Sequence, residues 1–140
     1  MNNKKQSVRI PPNSNEAEQA VLGCMLIDPE AAPKVLHQLS QKSFYNPNYA
    51  QIFLAISVLF EQNDTIDVVS VTNQLTKMGK LEEVGGAYFL TGLSSDSPSA
   101  ANVEYYAKIV KEKEILRSII QSAVQMSTEA YESKEDSTTI

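Results

Sequence analysis

From Asn102 to Ile140 the chain contains neither glycine nor proline, the two residues that most readily stop a helix. The helical pattern holds to about Tyr131, roughly 45 Å of rod at a rise of about 1.5 Å per residue. Its first part is amphipathic through Val103, Tyr106, Ala107 and Val110. Lys111, Glu112, Lys113 and Glu114 then make a fully charged turn, and beyond them Leu116, Ile119, Ile120, Ala123, Val124 and Met126 form a second apolar stripe. The remaining head, about 100 residues, is too small to cover a rod of that length. The outer stripe therefore predicts a contact with another helix, in the same chain or in another. Ser133 to Ile140 is polar and reads as a turn, with Asp136, Ser137 or Thr138 placed to cap a following helix. On this reading the sequence looks cut, and the second helix should begin just past residue 140.

The rest of the chain sets an all-α head in front of that rod. Residues 1–13 are polar and include Pro11-Pro12, which predicts a mobile arm ending in a stiff extended segment. A first helix follows, with Asn15 as N-cap and Glu18 completing a capping box. Ala17, Ala20, Val21 and Cys24 share its apolar face, and Gly23 allows another backbone to come close. Asp28-Pro29 starts a second helix whose firm part runs from Ala32 to Leu39. Asn46-Pro47 starts a third, with Tyr49, Ile52, Phe53, Ile56, Leu59 and Phe60 on one stripe that predicts the centre of the core. Asp67 caps a fourth through Val68, Val71, Leu75 and Met78, with Gly79 as its stop. Lys80 to Gly86 opens a short helix from Ala87 to Leu93, and Ser94 to Ser99 reads as loop. The resulting division is an arm over 1–13, a helical head over 14–98, a long hairpin helix over 99–132 and a polar turn over 133–140.

Composition narrows the function. The net charge is −5, whereas a domain that grips nucleic acid through phosphates carries a basic excess. No apolar run approaches the length of about 18 residues that a membrane span needs. The start of the chain has two lysines but no apolar stretch behind them, so it is no secretory signal. A lone Cys24 cannot form an internal disulfide, which fits the cytoplasm. A phosphate loop needs G-x-x-x-x-G-K-[ST], but Gly79-Lys80 is followed by Leu81 and has Gln74 five residues ahead. His37 is the only histidine, on a polar face, so no histidine pair for a metal exists. Cys24 lies on an apolar stripe and reads as a small buried hydrophobe. Glu16/Glu18, Glu82/Glu83 and Glu112/Glu114 are neighbours that do not face each other on a helix, and read as solvated surface. Tyr105 and Tyr106 point in different directions, one toward the head and one outward. The chain is expected to hold no catalytic residue, cofactor or metal.

Three segments carry a family resemblance. They are Arg9-Ile-Pro-Pro-Asn-Ser-Asn-Glu-Ala-Glu-Gln-Ala-Val-Leu-Gly23 continuing to Leu26-Ile-Asp-Pro29, then Asp67-Val-Val-Ser-Val71 with Leu81-Glu-Glu-Val-Gly-Gly-Ala-Tyr88, and last Pro98-Ser-Ala-Ala-Asn-Val-Glu-Tyr-Tyr-Ala-Lys-Ile-Val-Lys-Glu-Lys113. Each resembles the amino-terminal domain of DnaB-type replicative helicases, in the same order and at similar spacing, over about residues 9 to 132. The resemblance implies a compact helical head followed by a helical hairpin, whose first arm is the helix from Asn102 and whose second arm is absent from this chain. It implies hairpins that pair between subunits, a collar built as a trimer of dimers on a hexameric ring, docking of DnaG primase, and indirect contact with the helicase loader. It places ATP, Mg and DNA unwinding in the carboxy-terminal motor of the full-length parent.

The interface residues expected on these grounds are Leu116, Ile119, Ile120, Ala123, Val124 and Met126 for subunit pairing. Glu16 and Phe89 are expected near the primase side by analogy with the family. The rival readings are a free-standing helical DNA-binding or adaptor domain, which a salt-dependent affinity for DNA would favour, and an enzyme in its own right, which would need ATPase activity from this chain alone.

Overall fold

A computed structural model describes residues 9–97 and 100–139. Among the described residues there are helices and turns and no strands. The first helix, α1 (Asn15–Ile27), begins one residue earlier than its expected cap implies. Ser14 is the N-cap, its hydroxyl accepting from the Ala17 N–H at 3.1 Å, and Asn15 is already helical. Glu18 takes no part in a capping box and is not solvated surface; it is 2% exposed. From Ala20 to Leu26 every residue of α1 is buried, and the helix packs on four others. The centre of the core is therefore α1 rather than the third helix. Its small residues, Ala17, Ala20, Gly23 and Cys24, let neighbours close in from several sides. Gly23 shows how tightly: a methyl group there would collide with the Leu93 carbonyl oxygen and the Ser97 side chain. Burial pushes the Cys24 thiol above its ordinary range, with Ser97 bonding at 3.5 Å, as expected for a core residue.

Asp28 turns the chain, its carboxylate accepting from the Glu30 N–H at 3.0 Å, before α2 (Ala31–Gln38). Because α2 starts at Ala31, Pro33 falls within the first turn, where no intrahelical bond is lost. A short 3₁₀ turn (Gln41–Ser43) leads to α3 (Pro47–Glu61), capped by Asn46 with Pro47 in the first position. Tyr49, Ile52, Phe53, Ile56 and Leu59 are buried, but Phe60 is 39% exposed. The stripe pattern places Phe60 in the core; in the structure it lies in the last turn, at the edge of the head. Asn63 takes a left-handed turn, and Asp67 then caps α4 (Val68–Lys77) in a reciprocal pair with Ser70, at 2.8 and 2.9 Å.

The next segment forms two helices in place of the single expected one. One turn, α5 (Leu81–Val84), is followed by Gly85 and Gly86 at φ 115° and 78°, and then by α6 (Gly86–Ser95). Two consecutive left-handed residues break the helix and re-aim it, a conformation that side chains with a Cβ strain to adopt. Ser94 and Ser95 belong to α6 rather than to a loop, and Pro98 and Ser99 of the expected loop lie outside the described residues.

After a 3₁₀ turn (Ala100–Asn102), α7 runs from Val103 to Thr139. Val103, Ala107 and Val110 bury its inner half against the head. From Ser118 to Ser133 every residue is exposed. The polar turn expected over 133–140 is not formed through 139: the helix continues, since serine, lysine and acidic residues each cost it only a few tenths of a kcal/mol. Ile140 and residues 1–8 of the expected arm lie outside the described residues.

A polar cluster marks where α7 leaves the head. Arg117 donates to the Pro12 carbonyl at 2.8 Å and to the Ser43 carbonyl at 2.9 Å, with its guanidinium 5.6 Å from the Tyr45 ring centre. The end of the expected arm is thus tied down at Pro12. Glu114, one turn earlier, accepts from the Ser43 hydroxyl at 2.7 Å and pairs with Lys111 at 3.2 Å. Partial burial pushes its carboxyl up, but the bonds from Ser43 and Lys111 and the charges of Lys111 and Arg117 outweigh this and hold it below its ordinary range.

Candidate protein-interaction site

The outer half of α7 presents Leu116, Ile119, Ile120, Val124 and Met126 at 45 to 64% exposure, with Ala123 between them also exposed. Spacings of three and four put these six residues on one side of the helix. The head covers none of them. Ile115, also exposed, widens the stripe, and with Ser118, Ile119, Ser122 and Met126 it borders a shallow depression of about 430 Å³. Small residues beside large ones are what a second helix needs to set its own side chains into the surface. Ile115 is absent from the residues expected from sequence, although its place four residues before Ile119 is a usable signal.

Glu16 and Phe89 fall together elsewhere, on a groove of about 960 Å³ between α1, α6 and the start of α7. The structure does not join them to the stripe: Tyr106, at the groove, precedes Leu116 by about 15 Å of helix. Phe89 is half-buried, stacked on Tyr49 with ring centres 6.0 Å apart and planes 11° apart. Gln19 donates to the Tyr49 hydroxyl at 2.6 Å and so fixes that ring. Gly85 lies directly under Phe89, where a methyl group would strike its Cβ. Phe89 is therefore held between the Tyr49 ring and the Gly85 backbone, with Gln19 steadying Tyr49. Glu16, exposed one turn before Gln19, sits at the rim on the same side of α1.

Tyr88, which also lines the groove, is 91% exposed. It is not among the residues expected from sequence; Leu90 and Leu93 set the buried face of α6, and Tyr88, about 200° around the helix from Leu90, falls on the opposite one. Tyr106 packs on the core while Tyr105 is exposed, as expected of the pair, although their rings meet edge to face at 5.3 Å. An aromatic floor with an acidic rim suits a protein surface carrying apolar and basic groups. Among the described residues no cluster of histidine, cysteine or carboxylate side chains could hold a metal, and no helix is long and apolar enough to cross a membrane.

Comparison with known proteins agrees with this architecture. Residues 10–112 match the family model of the DnaB-like helicase N terminal domain. The chain is 44% identical over 132 residues to the replicative DNA helicase DnaB of Rhodothermus marinus, covering 94% of this chain and 14% of that protein. It is 42% identical over 128 residues to the replicative DNA helicase DnaC of Bacillus subtilis (strain 168), covering 91% of this chain and 28% of that one. It thus spans 14 to 28% of the length of these relatives. Among solved structures, the N-terminal domain of DnaB helicase from Mycobacterium tuberculosis superposes with a TM-score of 0.87 at 37% identity, over 90% of each chain. The N-terminal domain of DnaB helicase from Helicobacter pylori, described together with its interactions with primase, superposes at 0.70 with 23% identity, over 82% of this chain and 89% of that one, and shares the fold.

Proposed function

The chain belongs to the DnaB-like helicase N-terminal domain family, and from that membership we propose that it is the collar domain of a replicative DNA helicase, which pairs subunits through the outer half of α7 and receives DnaG primase at the groove between α1 and α6. The observation that carries the reading is the bare apolar face from Leu116 to Met126. An apolar face of this extent on a small domain marks a protein contact. Pairing of such faces, within a hairpin and between subunits, would build the collar of a hexamer.

The groove is the second part of the reading. Phe89 is held rigidly, Tyr88 is fully presented, and Glu16 lies at the rim, the combination of anchored aromatic and charged border found at binding centres. The Helicobacter pylori domain's interactions with primase support the choice of partner. The acidic balance of −5 supports a reading in which DNA contact is made by other parts of a full-length protein. There a motor using ATP and Mg would unwind DNA in the bacterial cytoplasm, and the helicase loader would meet the collar indirectly.

Sedimentation of the domain across a concentration series tests the pairing surface, and titration with the carboxy-terminal domain of primase tests the groove. A strictly monomeric domain at high concentration that also fails to bind primase would overturn the proposal.

A further inference from the structure

The last contacts between α7 and the head differ in kind from those before them. Val103, Ala107 and Val110 are apolar and buried. Glu114 and Arg117 are polar and are held by four hydrogen bonds: two made by Arg117 to the carbonyls of Pro12 and Ser43, one accepted by Glu114 from Ser43, and one from Lys111 that steadies the Glu114 carboxylate. The two carbonyls belong to segments 105 and 74 residues away in the chain. From Ser118 to Ser133 the rod is exposed throughout, with no cover from the head.

Apolar packing over Val103 to Val110 sets the direction of the inner half of α7 by shape alone, and the hydrophobic effect itself adds no directional preference. Hydrogen bonds to two fixed carbonyls do have one. Arg117 is suited to the task, since its planar fork offers several donors at once and its flat face lies against Tyr45. One of its acceptors, Pro12, is carried by the non-helical segment that leads into α1, of which residues 9–11 are exposed.

We propose that Arg117 is a positioning latch. It fixes the direction in which the outer half of α7 leaves the head, and the segment around Pro12 is the removable side of the latch. Displacing that segment frees one of the two grips, so an event at the amino-terminal end of the chain re-aims the rod that carries the apolar stripe. Neither the stripe nor the groove is needed for this inference.

Double electron–electron resonance distances between spin labels on the head and the rod test it. Labels go at Lys77→Cys and Ser127→Cys in a Cys24→Ala background, with labelled protein diluted into unlabelled protein so that only distances within one chain are read. The parent and Lys108→Met, an exposed substitution on the same helix, are expected to give one narrow distribution. Arg117→Met, which keeps the stem and loses both of Arg117's grips while the Glu114–Ser43 bond stays, is expected to widen it to roughly twice the parent width, since Glu114 is then the outermost tie to the head. Arg117→Lys and a chain beginning at Asn13 should fall between. Helicity by circular dichroism should stay at the parent level throughout. An Arg117→Met distribution as narrow as the parent's overturns the proposal. Should that variant lose its fold, parent-like widths in both Arg117→Lys and the shortened chain overturn it equally.

Discussion

The carboxylate of Glu18, in the middle of the core, accepts the backbone N–H of Tyr45 at 2.8 Å and that of Asn46 at 3.3 Å, 27 and 28 residues further along the chain. These two N–H groups lie at the start of α3, where the helix dipole favours a negative charge. Glu18 thus joins α1 to α3 and supports Tyr45, the ring on which Arg117 rests. Glu18→Gln leaves one of the two N–H groups facing the amide NH2, a donor, instead of an acceptor oxygen. The expected loss is about 1–3 kcal/mol, read as a lower urea midpoint at unchanged slope. An unchanged midpoint would show that the bonds contribute nothing.

Two carboxylates should give opposite pH signatures. Burial pushes Glu18 above its ordinary value of 4.5, against the bonds from Tyr45 and Asn46 and the charge of Arg117. Folding therefore favours its protonated form. The stability linked to it is complete below pH 4.5 and is lost as pH rises through the raised folded value. Glu114 is held below 4.5, so its contribution is present above that pH and is lost as pH falls through the lowered folded value. The gap between the parent and Glu18→Gln should narrow as the pH rises from 4.5, and the gap for Glu114→Gln should narrow as the pH falls from it. Denaturation midpoints across a pH series measure both; gaps that do not change with pH would contradict both assignments.

Gly23→Ala puts a methyl group against the Leu93 carbonyl and the Ser97 side chain. Overpacking of this kind costs about 1–3 kcal/mol, in spite of the better helix propensity of alanine. A lower thermal midpoint is expected, and a rise would mean that α6 can retreat.

Ile120→Asp places a charge in the middle of the exposed stripe. Self-association should weaken by about tenfold or more, roughly 1.4 kcal/mol, while the helicity of the head is retained and any loss of helical signal is confined to the outer rod. Sedimentation equilibrium and circular dichroism check the two parts. Unchanged association would move the pairing surface away from this stripe.

Tyr88→Ala removes a side chain that supports nothing in the head. Stability should change by no more than about 0.5 kcal/mol. Binding of the primase carboxy-terminal domain should weaken by about 1 kcal/mol or more, and Phe89→Ala should act in the same direction. Calorimetric titration measures this, and parent-like affinity in both variants would remove the groove from the docking surface.

Much of the architecture is legible in residue patterns. Asn46-Pro47 and Asp67 mark helix starts because capping is local chemistry, complete within a few residues. The bare stripe on α7 is legible because a helix of that length exceeds what a small head can cover. Glu18 and Arg117 are not, since their partners lie 27 to 105 residues away and only the packed fold brings them near. In the local pattern Glu18 matches a capping box, and tertiary contacts override that pattern. The Gly85–Gly86 break escapes the pattern for another reason: paired glycines announce a turn without telling which way it re-aims the chain. At the groove, Glu16 and Phe89 come from family likeness, and their meeting across α1 and α6 follows from the packing of Phe89 on Tyr49.

The bare outer half of α7 has one more effect. A single helix in water keeps only its intrinsic propensity, and short helical segments without a packed face are marginal. Backbone amides from Ser118 to Ser133 should then exchange with solvent far sooner than those of α1, and slow as the sample is concentrated. If copies pair through this stripe as proposed, the degree of helical order in this region becomes a function of how many copies are present, and ordering of the rod and meeting of its neighbours are a single equilibrium.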